Sequence, residues 1–259
     1  MSKRTFRLLL ASCLLTSSLY AASDPFIGKW KLNPDKSRFP DEMKVTASGA
    51  NKYVFDFGAG QTETIVADGT DQPGIFGTTF SVTVESPDTW KVVRKKDGRT
   101  LISATWKLSE DGKTLSDFYR QNQPDGSTLS MDYVYQRTTA GSGFTATWDS
   151  VSEKMNSSYE LEIAPYQGEG LTLITPTERK TRNLKFDGKD YPNLGPDVSA
   201  AAVSSGRRVS ERALEISDKH NGKVSDTLQI ELSPDLKTLT MTMQPAGQNK
   251  PNVFVFDRE

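Results

Sequence analysis

Thr100-Leu101-Ile102-Ser103-Ala104-Thr105-Trp106-Lys107-Leu108 runs directly into Ser109-Glu110-Asp111-Gly112-Lys113-Thr114-Leu115. In the first stretch Ile102, Ala104, Trp106 and Leu108 share one face, and Leu101, Ser103, Thr105 and Lys107 share the other. A period of two with one apolar face predicts a half-buried antiparallel strand. The Asp111-Gly112 that follows supplies the positive φ of a tight hairpin. The turn then returns downstream as Leu232-Ser233-Pro234-Asp235-Leu236-Lys237-Thr238-Leu239.

Working outward, other elements recur in the same order. Asp68-Gly69-Thr70-Asp71-Gln72-Pro73 is echoed by Asp187-Gly188-Lys189-Asp190-Tyr191-Pro192, and Phe26-x-x-x-Trp30 by Phe144-x-x-x-Trp148. Val134-Tyr135-Gln136-Arg137 is echoed by Val255-Phe256-Asp257-Arg258. The offsets barely drift: 148−30 = 118, 187−68 = 119, 232−108 = 124 and 258−137 = 121. Four ordered matches at so long a period indicate a tandem duplication of a domain, not a solenoid.

More strands alternate in the same way. Leu129, Met131, Tyr133 and Tyr135 oppose Ser130, Asp132, Val134 and Gln136, and Leu228, Ile230 and Leu232 alternate with Gln229 and Glu231. Asp97-Gly98, Asp125-Gly126 and Asn221-Gly222 mark further hairpins. The expectation is an all-β protein with little helix: two tandem up-and-down antiparallel β-barrels of about eight or nine strands each, closed to remove exposed edges. The expected units are residues 23–138 and 144–259. Thr139-Ala140-Gly141-Ser142-Gly143 reads as a flexible linker between them. A single large outer-membrane barrel is the rival architecture, but Lys, Asp, Glu, Gln and Ser occupy the faces that would meet lipid.

Residues 1–22 read as a secretory signal peptide: Lys3, Arg4 and Arg7, an apolar run from Leu8 to Leu19, then Tyr20-Ala21-Ala22. The expected location is the periplasm or the exterior, with no transmembrane segment after cleavage. The alternative is a lipid anchor on Cys13 of Leu10-Ala11-Ser12-Cys13. Cys13 is the only cysteine, so the processed chain would carry no disulfide. Losing Lys3, Arg4 and Arg7 takes the net charge from 32−33 = −1 to 29−33 = −4, which argues against a nucleic-acid partner.

Phe26-Ile27-Gly28-Lys29-Trp30-Lys31-Leu32 resembles the Gly-x-Trp first strand of lipocalins and their calycin relatives, fatty-acid-binding proteins included. The resemblance covers the opening and closing strands of each half. It implies that the first-strand Trp packs under an Arg from the last strand, closing the barrel floor: Trp30 with Arg137, and Trp148 with Arg258. Ala146 departs from the motif's Gly, the chain between Leu32 and Lys44 is too short for the two helices of fatty-acid-binding proteins, and the middle-loop motifs of lipocalins are not evident. The repeated Asp-Gly and Ser-x-Asp elements are similar to those of exported lipocalin-like proteins of bacteria, a family likeness that carries no known activity.

Catalytic and metal chemistry find little support in the sequence. His220, the only histidine, aligns with Lys96 beside a turn glycine and reads as a surface loop residue. A lone imidazole without Cys does not make a zinc site, and no Gly-x-Ser-x-Gly is present. The Asp68/Asp71 and Asp187/Asp190 loops fall short of the six to eight oxygens that Ca²⁺ takes. Asn156-Ser157-Ser158 is read as a chance sequon. The chain therefore reads as a non-enzyme without metal or cofactor. Trp90, Trp106, Met131, Tyr133 and Tyr135 form the richest aromatic set, and Trp106 aligns with aliphatic Ile230. These five are the candidate lining of a cavity for a small apolar molecule or lipid. A non-catalytic structural or interaction module of the cell envelope is the alternative.

Overall fold

The computed structural model describes residues 24–58, 61–156 and 158–259. The expected signal peptide, the alternative anchor Cys13 and Ser157 of the sequon lie outside the described residues. Among the described residues the protein is nearly all-β, and the one helical element is a 3-10 turn at Ile75–Gly77.

Ten strands build each of two antiparallel sheets. The chain begins with β1 (Gly28–Leu32). It continues through β2 (Glu42–Gly49), β3 (Lys52–Asp56), β4 (Thr62–Val66), β5 (Gln72–Pro73), β6 (Thr79–Ser86), β7 (Thr89–Lys96), β8 (Arg99–Leu108), β9 (Thr114–Asn122), β10 (Thr128–Arg137) and β11 (Ala146–Met155). Then come β12 (Glu160–Tyr166), β13 (Gly170–Thr175), β14 (Lys180–Leu184), β15 (Tyr191–Leu194), β16 (Ala202–Ser210), β17 (Ala213–His220), β18 (Lys223–Leu232), β19 (Thr238–Pro245) and β20 (Asn252–Arg258). Strands β2 to β11 form one sheet in the order β4-β3-β2-β11-β10-β9-β8-β7-β6-β5. It curls until β4 lies against β5 and β6. Strand β1 joins β12 to β20 in a closed barrel. We refer to the two as the first and second barrel. This architecture is compatible with a lipocalin-like fold, and two sheets replace the single large barrel considered above.

The two sheets share one register. Trp90 opposite Trp106 is matched by Leu214 opposite Ile230, and Trp106 opposite Asp117 by Ile230 opposite Met241. Tyr133 opposite Asp117 is matched by Phe254 opposite Met241. The sheets do not divide at residues 139–143, however. Strand β1 pairs with β12 and β20, and β11 pairs with β10 and β2, so each half lends its first strand to the other. The expected linker is an ordered hairpin turn: Thr138 N–H donates to Thr147 O, Thr145 N–H to Ser142 O, and Arg137 reaches Thr145 O at 3.0 Å. A Cβ on Gly141 would lie 1.8 Å from Thr145 O, so the tight turn requires glycine there. Closing this short loop costs far less chain entropy than a distant pairing, which explains why β10 takes β11 as its neighbour.

The exchange also corrects the Trp–Arg pairing. Arg258 lies over Trp30, 4.1 Å from the ring centroid, and Arg137 lies over Trp148 at 4.4 Å. The four closure residues are those expected, with partners interchanged because their strands are. Each forms the same unit. Trp30 Nε1 donates to Phe26 O and Trp148 Nε1 to Phe144 O, which explains the repeated Phe-x-x-x-Trp. Arg258 Nε donates to Leu236 O and Arg137 Nε to Gly112 O, both at 2.7 Å, clamping the repeated Ser-x-Asp turns. Gly112 and Leu236 both have positive φ there, 65° and 59°.

Candidate functional site

The first barrel contains a cavity of about 430 Å³ that opens to solvent. Its walls come from the inward faces of β2 (Met43), β7 (Val92, Arg94), β8 (Ala104, Trp106), β9 (Asp117, Tyr119) and β10 (Tyr133, Tyr135), and Asp41 enters from the connection before β2. The 3-10 turn carrying Ile75 and Phe76 borders the cavity, and Phe76 is 67% exposed, an apolar rim facing water.

Of the candidate lining residues, Trp106, Tyr133 and Tyr135 line this space, whereas Trp90 and Met131 do not. Trp90 is core: its ring stacks on Phe144 at 4.1 Å and meets Tyr53 edge-on at 4.8 Å. Met131 is buried with the core of the second barrel, together with Met155.

At equivalent positions the second barrel carries larger apolar side chains where the first has its cavity. Ala104 corresponds in register to Leu228, so the second barrel puts an isobutyl group where the first leaves space. Trp106, Asp117, Tyr119, Tyr133 and Tyr135 correspond to Ile230, Met241, Met243, Phe254 and Phe256. Asp41 corresponds to Tyr159: Ser150 N–H donates to Asp41 O, and Leu32 N–H donates to Tyr159 O. Tyr159 leans its ring on Phe254 and Phe256, closing the volume that Asp41 and Tyr135 leave open.

The polar groups of the cavity sit deep. Tyr135 Oη donates to Asp41 Oδ2 at 2.6 Å. Burial pushes the Asp41 carboxyl up to about 6, against the hydrogen bonds from Tyr135 and the Glu42 backbone that favour its ionised form. Asp117 is 6% exposed and flanked across the sheet by Trp106 and Tyr133. Burial pushes it up to about 7; the indole N–H of Trp106 opposes this and the charge of Asp41 adds to it. The indole lies close enough to influence the carboxyl, yet neither Trp106 Nε1 nor Asp117 Oδ1 has a well-formed hydrogen bond. Burial also holds the phenols of Tyr119, Tyr133 and Tyr135 well above their usual range, so all three are neutral donors.

The cation of the cavity is already spent. Arg94 Nη1 and Nη2 bind Glu63 Oε1 and Oε2, each at 2.7 Å, and Nη1 also reaches Thr78 Oγ1. Glu63 Oε1 accepts from Ile75 N–H at 2.6 Å, so this pair positions the rim turn. A Cβ on Gly74 would fall 2.5 Å from Glu63 Oε1, which is why glycine precedes the turn.

Sequence reasoning missed Asp41, Asp117, Ala104 and the Glu63–Arg94 pair. Asp117 left a signal: Leu115, Asp117 and Tyr119 share a face in an alternating strand, and the equivalent position of the second sheet holds Met241. The other loop motifs are structural. Asp68 accepts from the Thr70 N–H, Asp187 from the Lys189 N–H, and Asp71 and Asp190 pair with Lys95 and Lys219. His220 is exposed and meets Ser199 Oγ at 3.2 Å, beside a second space of about 500 Å³ between the two sheets. Its lining mixes exposed charged groups, such as Arg99 paired with Asp197, with buried Asn193 and Asp218 and apolar Leu101, Ile102 and Val198. Among the described residues, no group of three His, Cys, Asp or Glu side chains is placed to hold a metal ion. No described helix is long and apolar enough to cross a membrane.

No family model matches the chain, and no curated protein matches it.

Proposed function

We propose that the protein is an exported, non-catalytic binding protein that holds one small, largely apolar molecule inside its first barrel. In this reading the second barrel is a solid structural partner that arose by duplication of the same unit and has lost its cavity. One observation carries the proposal: at positions of identical register, Ala104 and a set of polar aromatics surround about 430 Å³, where Leu228 and its apolar neighbours fill the space. A volume of that order suits a small-molecule ligand, and an apolar wall with few polar groups is what such sites present.

Native mass spectrometry of protein purified from its own host tests the reading. A bound mass is expected on the wild type and should vanish in Ala104→Leu, which installs the side chain of the filled barrel. Reproducible absence of bound mass would instead favour a structural module of the cell envelope.

A further inference from the structure

We propose that the ligand of the first barrel is an organic amine, its ammonium group held by Asp41 and Asp117 and its apolar body lying against Trp106, Tyr133 and Phe80. This rests on the cavity being a binding site and names the chemistry of what it binds.

A buried polar atom without a partner costs about 1–3 kcal/mol, and more when charged. Asp117 is almost fully buried and lines the cavity, and neither its Oδ1 nor the neighbouring indole N–H of Trp106 completes a hydrogen bond of good geometry. Asp41 receives one hydroxyl hydrogen bond, from Tyr135, and has no cationic partner. Two carboxyls with spare lone pairs call for a donor, and a ligand ammonium supplies up to three with the complementary charge.

The surroundings favour a cation over an anion. Arg94, the one cationic side chain in the wall, has both terminal nitrogens committed to Glu63 and Thr78 and offers a ligand carboxylate no free fork. Trp106, Tyr119, Tyr133, Tyr135 and Phe80 line the cavity, and an aromatic ring face attracts a desolvated cation. The second barrel lacks these side chains: Met241 stands for Asp117 and Tyr159 for Asp41, within a cluster of buried apolar residues.

Affinity should therefore depend on pH. The charged and titratable groups around the pair are Glu42 and Glu153 beside Asp41, Arg120 on β9 and Asp132 on β10 near Asp117, Arg94 with its partner Glu63 in the cavity wall, and the neutral phenols of Tyr119, Tyr133 and Tyr135. Burial raises both aspartates, so they gain protons as the pH falls below about 7 and about 6, and an ammonium then loses its counter-charge.

Three probes of one shape separate the alternatives by calorimetry on the full chain: phenethylamine, 2-phenylethanol and 3-phenylpropionate. At pH 8 the amine should bind at least about tenfold more tightly than the alcohol, and the carboxylate least. The amine's advantage should shrink at least about tenfold by pH 5, and Asp117→Asn and Asp41→Asn should each abolish it while retaining alcohol binding. Equal binding of alcohol and amine, or preference for the carboxylate, overturns the amine assignment and leaves the cavity reading intact. Failure of all three probes, while native mass spectrometry still finds a bound mass, does the same. Failure of all three with no bound mass overturns both.

Discussion

Arg94 and Glu63 join β7 to β4 through two contacts of 2.7 Å, and the second barrel makes the same connection with its charges reversed. There Arg182 on β14 pairs with Asp218 on β17, its Nη2 lying 2.7 Å from Oδ2. The positions correspond in register, since Phe80 opposite Arg94 is matched by Ser204 opposite Asp218. Both pairs are largely buried. What the fold retains at this point is thus an ion pair, not a particular sign at either residue.

That relationship predicts strong coupling. Removing one partner strands a buried charge, so Glu63→Ala and Arg94→Ala should each destabilise by about 3–5 kcal/mol. The double change Glu63→Arg with Arg94→Asp, copying the second barrel, should recover much of that loss. Denaturant unfolding of wild type, the two single alanine variants and Glu63→Ala/Arg94→Ala gives the cycle, with the charge-reversed pair measured beside it. Additive losses would show that the two side chains act separately.

The raised aspartates predict an unusual pH dependence for the ligand-free protein. Unfolded aspartates titrate near about 4, whereas folded Asp41 and Asp117 titrate at about 6 and about 7. Between those limits the folded state binds more protons, so these two groups make stability fall as pH rises from about 4 to about 7, then level off. Asp218 acts in the opposite sense: burial would raise its carboxyl, but Arg182 and Ser204 hold it low, so its contribution is lost as pH falls. The difference between wild type and Asp117→Asn isolates the cavity group. The mutant should gain on the order of 3 kcal/mol relative to wild type between pH 4 and pH 8. A constant difference across that range would contradict a buried, proton-holding Asp117.

Arg258 should matter more than a surface arginine. It covers Trp30, donates to Leu236 O, Ile27 O and Pro25 O, and anchors the lent strand β1. Arg258→Ala is expected to cost about 2–4 kcal/mol, through lost cation–π contact and charged hydrogen bonds. Arg258→Lys should restore only a fraction, because one ammonium cannot reproduce the fork. Thermal unfolding measures both.

Strand exchange predicts which fragment folds. Residues 40–156 contain every strand of the first sheet, β2 to β11. Residues 23–138 lack β11 and carry β1, whose pairing partners are absent. The 40–156 fragment should show dispersed amide resonances and cooperative unfolding, and 23–138 should not. Equal folding of both fragments would show that β1 and β11 are interchangeable.

The alternation around Trp106, the Asp-Gly turns and the Trp and Arg at the strand ends were legible because each depends on local spacing. Partner choice was not. Trp30 sits under Arg258 and not Arg137 because a whole strand crosses between sheets, and no residue near Trp30 records that crossing. The cavity was half legible. Trp106 differed visibly from Ile230, but Ala104 reads as one more small core residue until it is set beside Leu228. Asp117 was masked by its type: it shares a face with Leu115 and Tyr119, but a lone carboxylate in a strand is normally on the solvent face, and its counterpart Met241 is fixed by the register.

The most direct measurement is ¹⁹F NMR of protein carrying 5-fluorotryptophan at its four tryptophans, titrated with phenethylamine at pH 8. The account predicts a saturable shift of the Trp106 resonance, with Trp30 and Trp148 unmoved beneath their arginines. Titration that leaves Trp106 unchanged, or moves Trp30 in the second barrel instead, would contradict it.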